Sequence, residues 1–256
     1  MTERERAIRD LVVANRIIAN EGVVDAYGHV SIRDPLKPNR YLLSRSRSPE
    51  LVTAADIMEF DLEGKPLGGD TRPPYLERFI HGAIYKERPE VRAVIHSHAE
   101  EVLPFSIAPT PLRPVIHAAS FIGAHIPVWD IRDNFGDTNL LVVNMAQGRD
   151  LARYLGRNSV ALMRGHGFAA VGRSIAEVVR IAVYMPRNAR VLMEAMRLGQ
   201  VKDLSRGEIE AHSALPPDSP AMWRAWEYWA RRAGCGDAMT DPKKAREAKP
   251  RGKRAI

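Results

Sequence analysis

Val91-Arg92-Ala93-Val94-Ile95-His96-Ser97-His98 is the stretch on which the reading of this chain turns. As a β-strand its side chains alternate between faces, so His96 and His98 project the same way from Cα atoms roughly 6.5 Å apart. One divalent ion bridges such a pair when each ring offers a neutral nitrogen at about 2.0 to 2.2 Å. A catalytic site needs a third protein ligand and an open position for substrate. Working outward, His166 lies between Gly165 and Gly167, directly after the apolar run Ser159-Val160-Ala161-Leu162-Met163. Flanking residues without side chains let a metal or ligand approach closely, so His166 is the predicted third ligand. Structural zinc usually closes its fourth position with cysteine, and the lone Cys235 cannot supply that set; a three-histidine site here is predicted to be open and reactive.

Helical spacing covers the segment before the histidine strand. Pro73-Pro74 suits a first helical turn, Leu76, Phe79, Ile80, Ala83 and Ile84 mark one apolar face, and Pro89 ends the helix. Glu77 and His81 are four apart and adjacent on its surface, so either can face the metal. A carboxylate there moves a proton to or from carbon; a solvated helix glutamate is the plain alternative. Earlier, residues 4 to 20 predict an amphipathic helix stopped at Glu21-Gly22. Gly28 to Asp34 and Arg40 to Leu43 predict a hairpin across Pro35 to Asn39, and Ile57 to Asp61 a further strand. Ile126 to Trp129, Leu140-Leu141-Val142-Val143 and Ser159 to Met163 are strand candidates, while residues 147 to 155 and 174 to 198 predict helices, the latter interrupted by Pro186. Irregular alternation with hairpin-like connections predicts an α/β fold: a mixed sheet flanked by helices.

The chain has 256 residues, 45% hydrophobic and 27% charged, with a formal net charge of +7. Much of that excess sits near the end, where Lys243, Lys244, Arg246, Lys249, Arg251, Lys253 and Arg254 face Asp237, Asp241 and Glu247. Residues 1 to 236 are therefore expected to form the folded domain and 237 to 256 a basic, disordered tail, which places nucleic-acid binding outside the folded body. Without an apolar run of roughly 18 to 20 residues or a signal-like start, a cytoplasmic protein with no membrane span is expected. Dinucleotide, P-loop, zinc-protease and serine-hydrolase signatures are absent from the sequence.

Taken together, Gly28-His29-Val30-Ser31, Glu77-x-x-x-His81, Arg88 to His98 and Gly165-His166-Gly167 resemble the class II aldolase/adducin family over roughly residues 5 to 200. The resemblance implies an α/β/α sandwich around a mainly antiparallel sheet and a homotetramer with active sites at subunit interfaces. It implies a divalent metal, Mn²⁺, Zn²⁺, Co²⁺ or Fe²⁺, on His96, His98 and His166, with Glu77 as the acid/base group. The chain departs from the family's sugar-phosphate aldolases, which carry a Ser-Ser pair where Tyr75-Leu76 stands here. Ser44-Arg45-Ser46-Arg47 likewise replaces their small hydroxyl-glycine phosphate loop. Arginine forks suit carboxylates, and these replacements resemble the decarboxylase branch, which acts on hydroxylated aromatic or pyridine dicarboxylates and related ring-cleavage products. His29, Ser44, Arg45, Arg47 and Tyr75 are the substrate-binding residues this implies, for a small-molecule carboxylate. Sugar-phosphate aldol cleavage and a non-catalytic, adducin-like interaction role are the alternatives.

Overall fold

Thr2 opens the first helix, α1 (Glu3–Asn20), with a capping box in which its hydroxyl accepts from the Glu5 amide while the Glu5 carboxylate accepts from its own amide. The computed structural model describes residues 1 to 236 apart from 214, 215, 217 and 218. The expected basic tail, 237 to 256, lies outside the described residues. After α1 come β1 (His29–Arg33), β2 (Arg40–Ser44) and β3 (Ile57–Asp61), then α2 (Arg78–Glu87) and β4 (Ala93–Ser97). A short helix α3 (Leu103–Ile107), β5 (Val128–Trp129), a single-turn α4 (Arg132–Phe135), α5 (Met145–Leu155), β6 (Val160–Met163) and β7 (Gly167–Gly172) follow. Helices α6 (Ile175–Leu198), α7 (Arg206–Ser213) and α8 (Pro220–Arg232) complete the described chain.

The seven strands run in the order β3-β2-β1-β4-β7-β6-β5, antiparallel at every pairing except β5 with β6. Period-two alternation divides the sheet's side chains between two cores. Val30, Leu42, Ala93, Ile95, Leu162 and Phe168 pack with α1, α6 and α8. Tyr41, Leu43, Val94, Ala161 and Ala169 face the opposite way, toward α2 and α5. The result is the expected α/β/α sandwich with a mainly antiparallel sheet. Register sets His29 of β1 directly opposite His96 of β4, and Ser31 opposite Val94. All four belong to the face that α2 covers, so a polar patch is embedded in an otherwise apolar layer.

Three elements differ from the sequence expectation. Leu140 to Val143 is not a strand, because side chains occupy its successive amides: Thr138 Oγ1, Asn139 Oδ1, Glu77 Oε1 and Gln147 Oε1 accept from residues 140 to 143 at 2.8 to 3.1 Å. Those donors are unavailable to a ladder. Helix α2 begins at Arg78 and not near Pro73-Pro74: Pro74 forms a β-bridge with Arg45, and the Pro73 carbonyl accepts from the Ser46 amide at 2.8 Å. Leu76 therefore leaves the apolar face and is exposed. Strand β7 carries no strong sequence signal, since Gly167-Phe168-Ala169-Ala170-Val171-Gly172 starts and ends in glycine. The first glycine is there for proximity: a Cβ at Gly167 would lie 2.0 Å from the Ser97 carbonyl oxygen. Pro186 lies within α6 without ending it.

Candidate functional site

Helix α2 contributes one side of the site. Glu77 is its N-cap, and His81 and Tyr85 follow at intervals of four, so the three form one stripe facing β1 and β4. Opposite that stripe, β4 presents His96 and leads into His98. The β6–β7 hairpin turn, whose Gly165 takes a positive φ of 63°, brings in His166.

Glu77, His96, His98 and His166 converge, with one ligand atom from each lying within 4.8 Å of all the others. His98 Nε2 is 2.8 Å from His96 Nε2 and 3.1 Å from His166 Nε2. Glu77 Oε2 is 3.3 Å from His96 Nε2 and 3.6 Å from His166 Nε2. Its other oxygen accepts the Val142 amide at 3.0 Å. His96 Nδ1 lies 3.1 Å from the Phe168 carbonyl, an acceptor, so that nitrogen carries the proton and Nε2 turns a lone pair into the cluster. Donor atoms about 2.1 Å from one ion are separated by roughly 3.0 to 3.4 Å, so the donor set fits a first-row divalent cation. His166 Nδ1 is buried and has no partner among the described residues.

Burial disfavours charge on Glu77, but the neighbouring His96 and His166 outweigh it and hold the carboxyl well below the usual carboxylate range. Glu77 is thus an ionised base or ligand. Burial, with His96 and His166 beside it, pushes His98 down to about 4, leaving a neutral ring suited to ligation.

A cavity of about 400 Å³ opens onto this cluster, with His29, Arg47, Tyr75, Leu76, Glu77 and His98 in its wall. Of the expected substrate-binding residues, His29, Arg47 and Tyr75 line it, and Ser44 and Arg45 do not. Ser44 is fully buried and donates to the Tyr75 hydroxyl at 3.2 Å. Arg45 Nε donates to Asp56 at 2.7 Å, and Arg47 Nη1 reaches the same carboxylate at 3.1 and 3.2 Å. Thr53 donates its amide and hydroxyl to Asp56 as well, so this carboxylate organises the loop from beneath. Burial raises the Asp56 carboxyl, yet bonds from Thr53, Arg45 and Arg47 carry it well below the ordinary range.

His81 does not join the cluster of Glu77, His96, His98 and His166. Its Nε2 meets His29 Nδ1 at 2.6 Å and its Nδ1 the Ser31 hydroxyl at 2.6 Å. Burial lowers His81 to about 3, so it stays neutral. The periodic Glu77-His81-Tyr85 stripe and the alternation of His29 and Ser31 in β1 were the signals for this second constellation. Ser46 and Ser48 of the arginine loop also line the cavity, as do Tyr27 and Leu141, which had no local signature.

The model for the Class II Aldolase and Adducin N-terminal domain matches residues 9 to 193. The chain belongs to the class II aldolase and adducin family. Among its relatives is decarboxylase tropJ of Talaromyces stipitatus, 33% identical over 91% of this chain and 96% of that protein. Another is the 3,4-dihydroxyphthalate decarboxylase of a Terrabacter species, 30% identical over 89% of this chain and 98% of that one. The L-fuculose 1-phosphate aldolase of Glaciozyma antarctica superposes with a TM-score of 0.68 at 26% identity, covering 90% of this chain and 88% of the aldolase. The two decarboxylases match the aromatic decarboxylase branch that the loop residues suggested. Among the described residues no helix is long and apolar enough to cross a membrane.

Proposed function

We propose that this protein is a cytoplasmic, divalent-metal-dependent decarboxylase of a hydroxylated aromatic or pyridine carboxylate, or of a related ring-cleavage acid. The observation that carries the reading is the convergence of the Glu77 carboxylate with three imidazoles, Glu77 and His98 standing in the wall of a cavity sized for a small ring. His96, His98 and His166 would hold the ion, Mn²⁺, Zn²⁺, Co²⁺ or Fe²⁺, with Glu77 near enough to share it. When bound, the ion supplies a fixed positive charge that docks paired oxygens and stabilises electron density left by bond cleavage.

Glu77 is placed to act twice. As a base it takes the proton of a ring hydroxyl ortho to the carboxylate, and as an acid it returns that proton to the ring carbon bearing the carboxylate. The bond from that carbon to the carboxylate then breaks, its electron pair passes into the ring, and carbon dioxide leaves. The Val142 amide orients the carboxylate throughout. Arg47, kept in place by Asp56 and by the Tyr75 hydroxyl that donates to its carbonyl, offers a guanidinium for a second carboxylate.

Ser46 and Ser48 in the cavity wall favour a second reading, aldol cleavage of a sugar phosphate, because compact hydroxyls suit a phosphate. Exposed Tyr27 and Leu76 at the cavity support a homotetramer in which a neighbouring subunit completes the pocket. The test combines metal analysis with a substrate panel: carbon dioxide from 3,4-dihydroxyphthalate and 2-hydroxybenzoates is expected, and aldehyde from sugar phosphates alone would overturn the decarboxylase reading. Light scattering on the purified protein checks the tetramer.

A further inference from the structure

His29 faces two ways. Its ring lines the cavity, with its centroid 4.5 Å from that of Tyr75, while its Nδ1 is bonded to His81. Beyond His81 Nδ1 stands the Ser31 hydroxyl, and beyond that the Tyr85 hydroxyl at 2.8 Å from Ser31 Oγ. All four side chains are buried. Each of the three gaps holds one proton, so the chain is polarised in one direction or the other.

Counting protons selects the direction. The Tyr85 hydroxyl oxygen takes a hydrogen bond from the Val94 backbone amide, and, among the described residues, the acceptor for its own proton is Ser31 Oγ. If the phenol donates to Ser31, Ser31 donates to His81 Nδ1 and His81 Nε2–H donates to His29 Nδ1. Every proton between these four side chains then has an acceptor, and the one left over is carried by the cavity-lining ring of His29. The reverse polarity leaves the phenol proton buried without one, at the cost of an unsatisfied buried donor. With Nδ1 accepting, the ring proton of His29 sits on Nε2, which has no hydrogen-bond partner among the described residues, on a ring that lines the cavity.

We propose that His29 is a hydrogen-bond donor to the ligand, held as the Nε2–H tautomer by a Tyr85–Ser31–His81 relay, and that it takes an anionic oxygen, carboxylate or phenolate. His81, Ser31 and Tyr85 are positioning residues. Only the ligand class rests on the function proposed above; the tautomer does not. A donor without charge of its own can sit beside a cation-holding cluster, select acceptors over hydroxyls that must donate, and fix the ring's orientation toward Glu77.

The test uses zinc-loaded protein with ¹⁵N-labelled histidine, the His29 signal being the one lost in His29→Gln. Long-range proton–nitrogen correlation is expected to show a protonated Nε2 and a bare Nδ1 at His29, and a mixture of tautomers in Ser31→Ala. A wild-type His29 protonated on Nδ1 overturns the relay. Calorimetry with 2-hydroxybenzoate supplies the second arm: His29→Leu is expected to weaken binding about tenfold or more, and His29→Gln, which keeps an N–H donor, only about threefold. In turnover Ser31→Ala should raise KM by about the same several-fold factor with kcat little changed. Equal binding by wild type and His29→Leu, or no aryl carboxylate binding to wild type, overturns the ligand assignment. Absence of carbon dioxide with the tautomer and binding as expected would sink the decarboxylase reading and leave the relay standing.

Discussion

Two groups of histidines lie side by side on one face of the sheet and have opposite fates. His96, His98 and His166 turn Nε2 atoms toward one another and toward the Glu77 carboxylate. His29 and His81 are instead joined to each other and closed off by the hydroxyls of Ser31 and Tyr85. The rings of His29 and His96 are only 5.2 Å apart, so position on the sheet does not separate the groups. What separates them is whether the protein itself satisfies the ring nitrogens. A set left facing itself is chemistry waiting for a cation, and a set completed by hydroxyls is a fixed dipole chain.

Replacing a member of the first group has the largest expected effect. His98→Ala should remove both bound metal and turnover, well beyond the roughly 10- to 100-fold cost of losing an outer hydrogen bond to a metal ligand; elemental analysis and carbon dioxide release measure it. Full activity in this variant would dissolve the distinction between the groups. Glu77→Gln should lower kcat by about 10² to 10⁴ while metal content stays unchanged, which separates proton transfer from ligation.

Asp56 tests the loop that carries Arg47. Asp56→Asn should destabilise the fold by about 1 to 3 kcal/mol at pH 7, read from urea unfolding, since the arginine bonds lose their charged acceptor. Because the folded-state pKa of Asp56 lies below its ordinary value of 3.8, its contribution is fully present above about pH 4 and is lost as the pH falls toward the folded value. The Asn variant should therefore lose less stability between pH 5 and about pH 3 than the wild type does. The smallest effect is expected in the second group: Tyr85→Phe removes one buried hydrogen bond, costing about 1 kcal/mol in thermal or urea unfolding with metal content unaltered.

Much of the site was legible along the chain because it rests on local rules. Strand alternation predicts that His96 and His98 share a side, and Gly165-His166-Gly167 announces a turn that something approaches closely. Less legible were features whose local signals conflict. In β7 the glycines read as breakers, whereas Gly167 is required by contact with the Ser97 carbonyl. Leu140 to Val143 has the composition of a strand, yet its amides are taken by side chains, one of them Glu77 from 65 residues earlier. Arg45 and Arg47 look equivalent in Ser44-Arg45-Ser46-Arg47. Only Arg47 lines the cavity, although Asp56 accepts from both arginines.

By itself the sequence determined the inventory: three imidazoles, a carboxylate one segment away, a layered α/β chain, and loops unlike those that hold a sugar phosphate. Only the tertiary structure decided between Glu77 and His81. Both lie on the same stripe of α2, and nothing local distinguishes them. The register of β1 against β4 sets His29 opposite His96, so the first residue of the stripe meets the converging imidazoles and the next meets His29 and Ser31. Periodicity is a property of one segment, whereas the partner a side chain meets depends on how separate segments are aligned, and that alignment is set by the packing of the whole sheet against its helices.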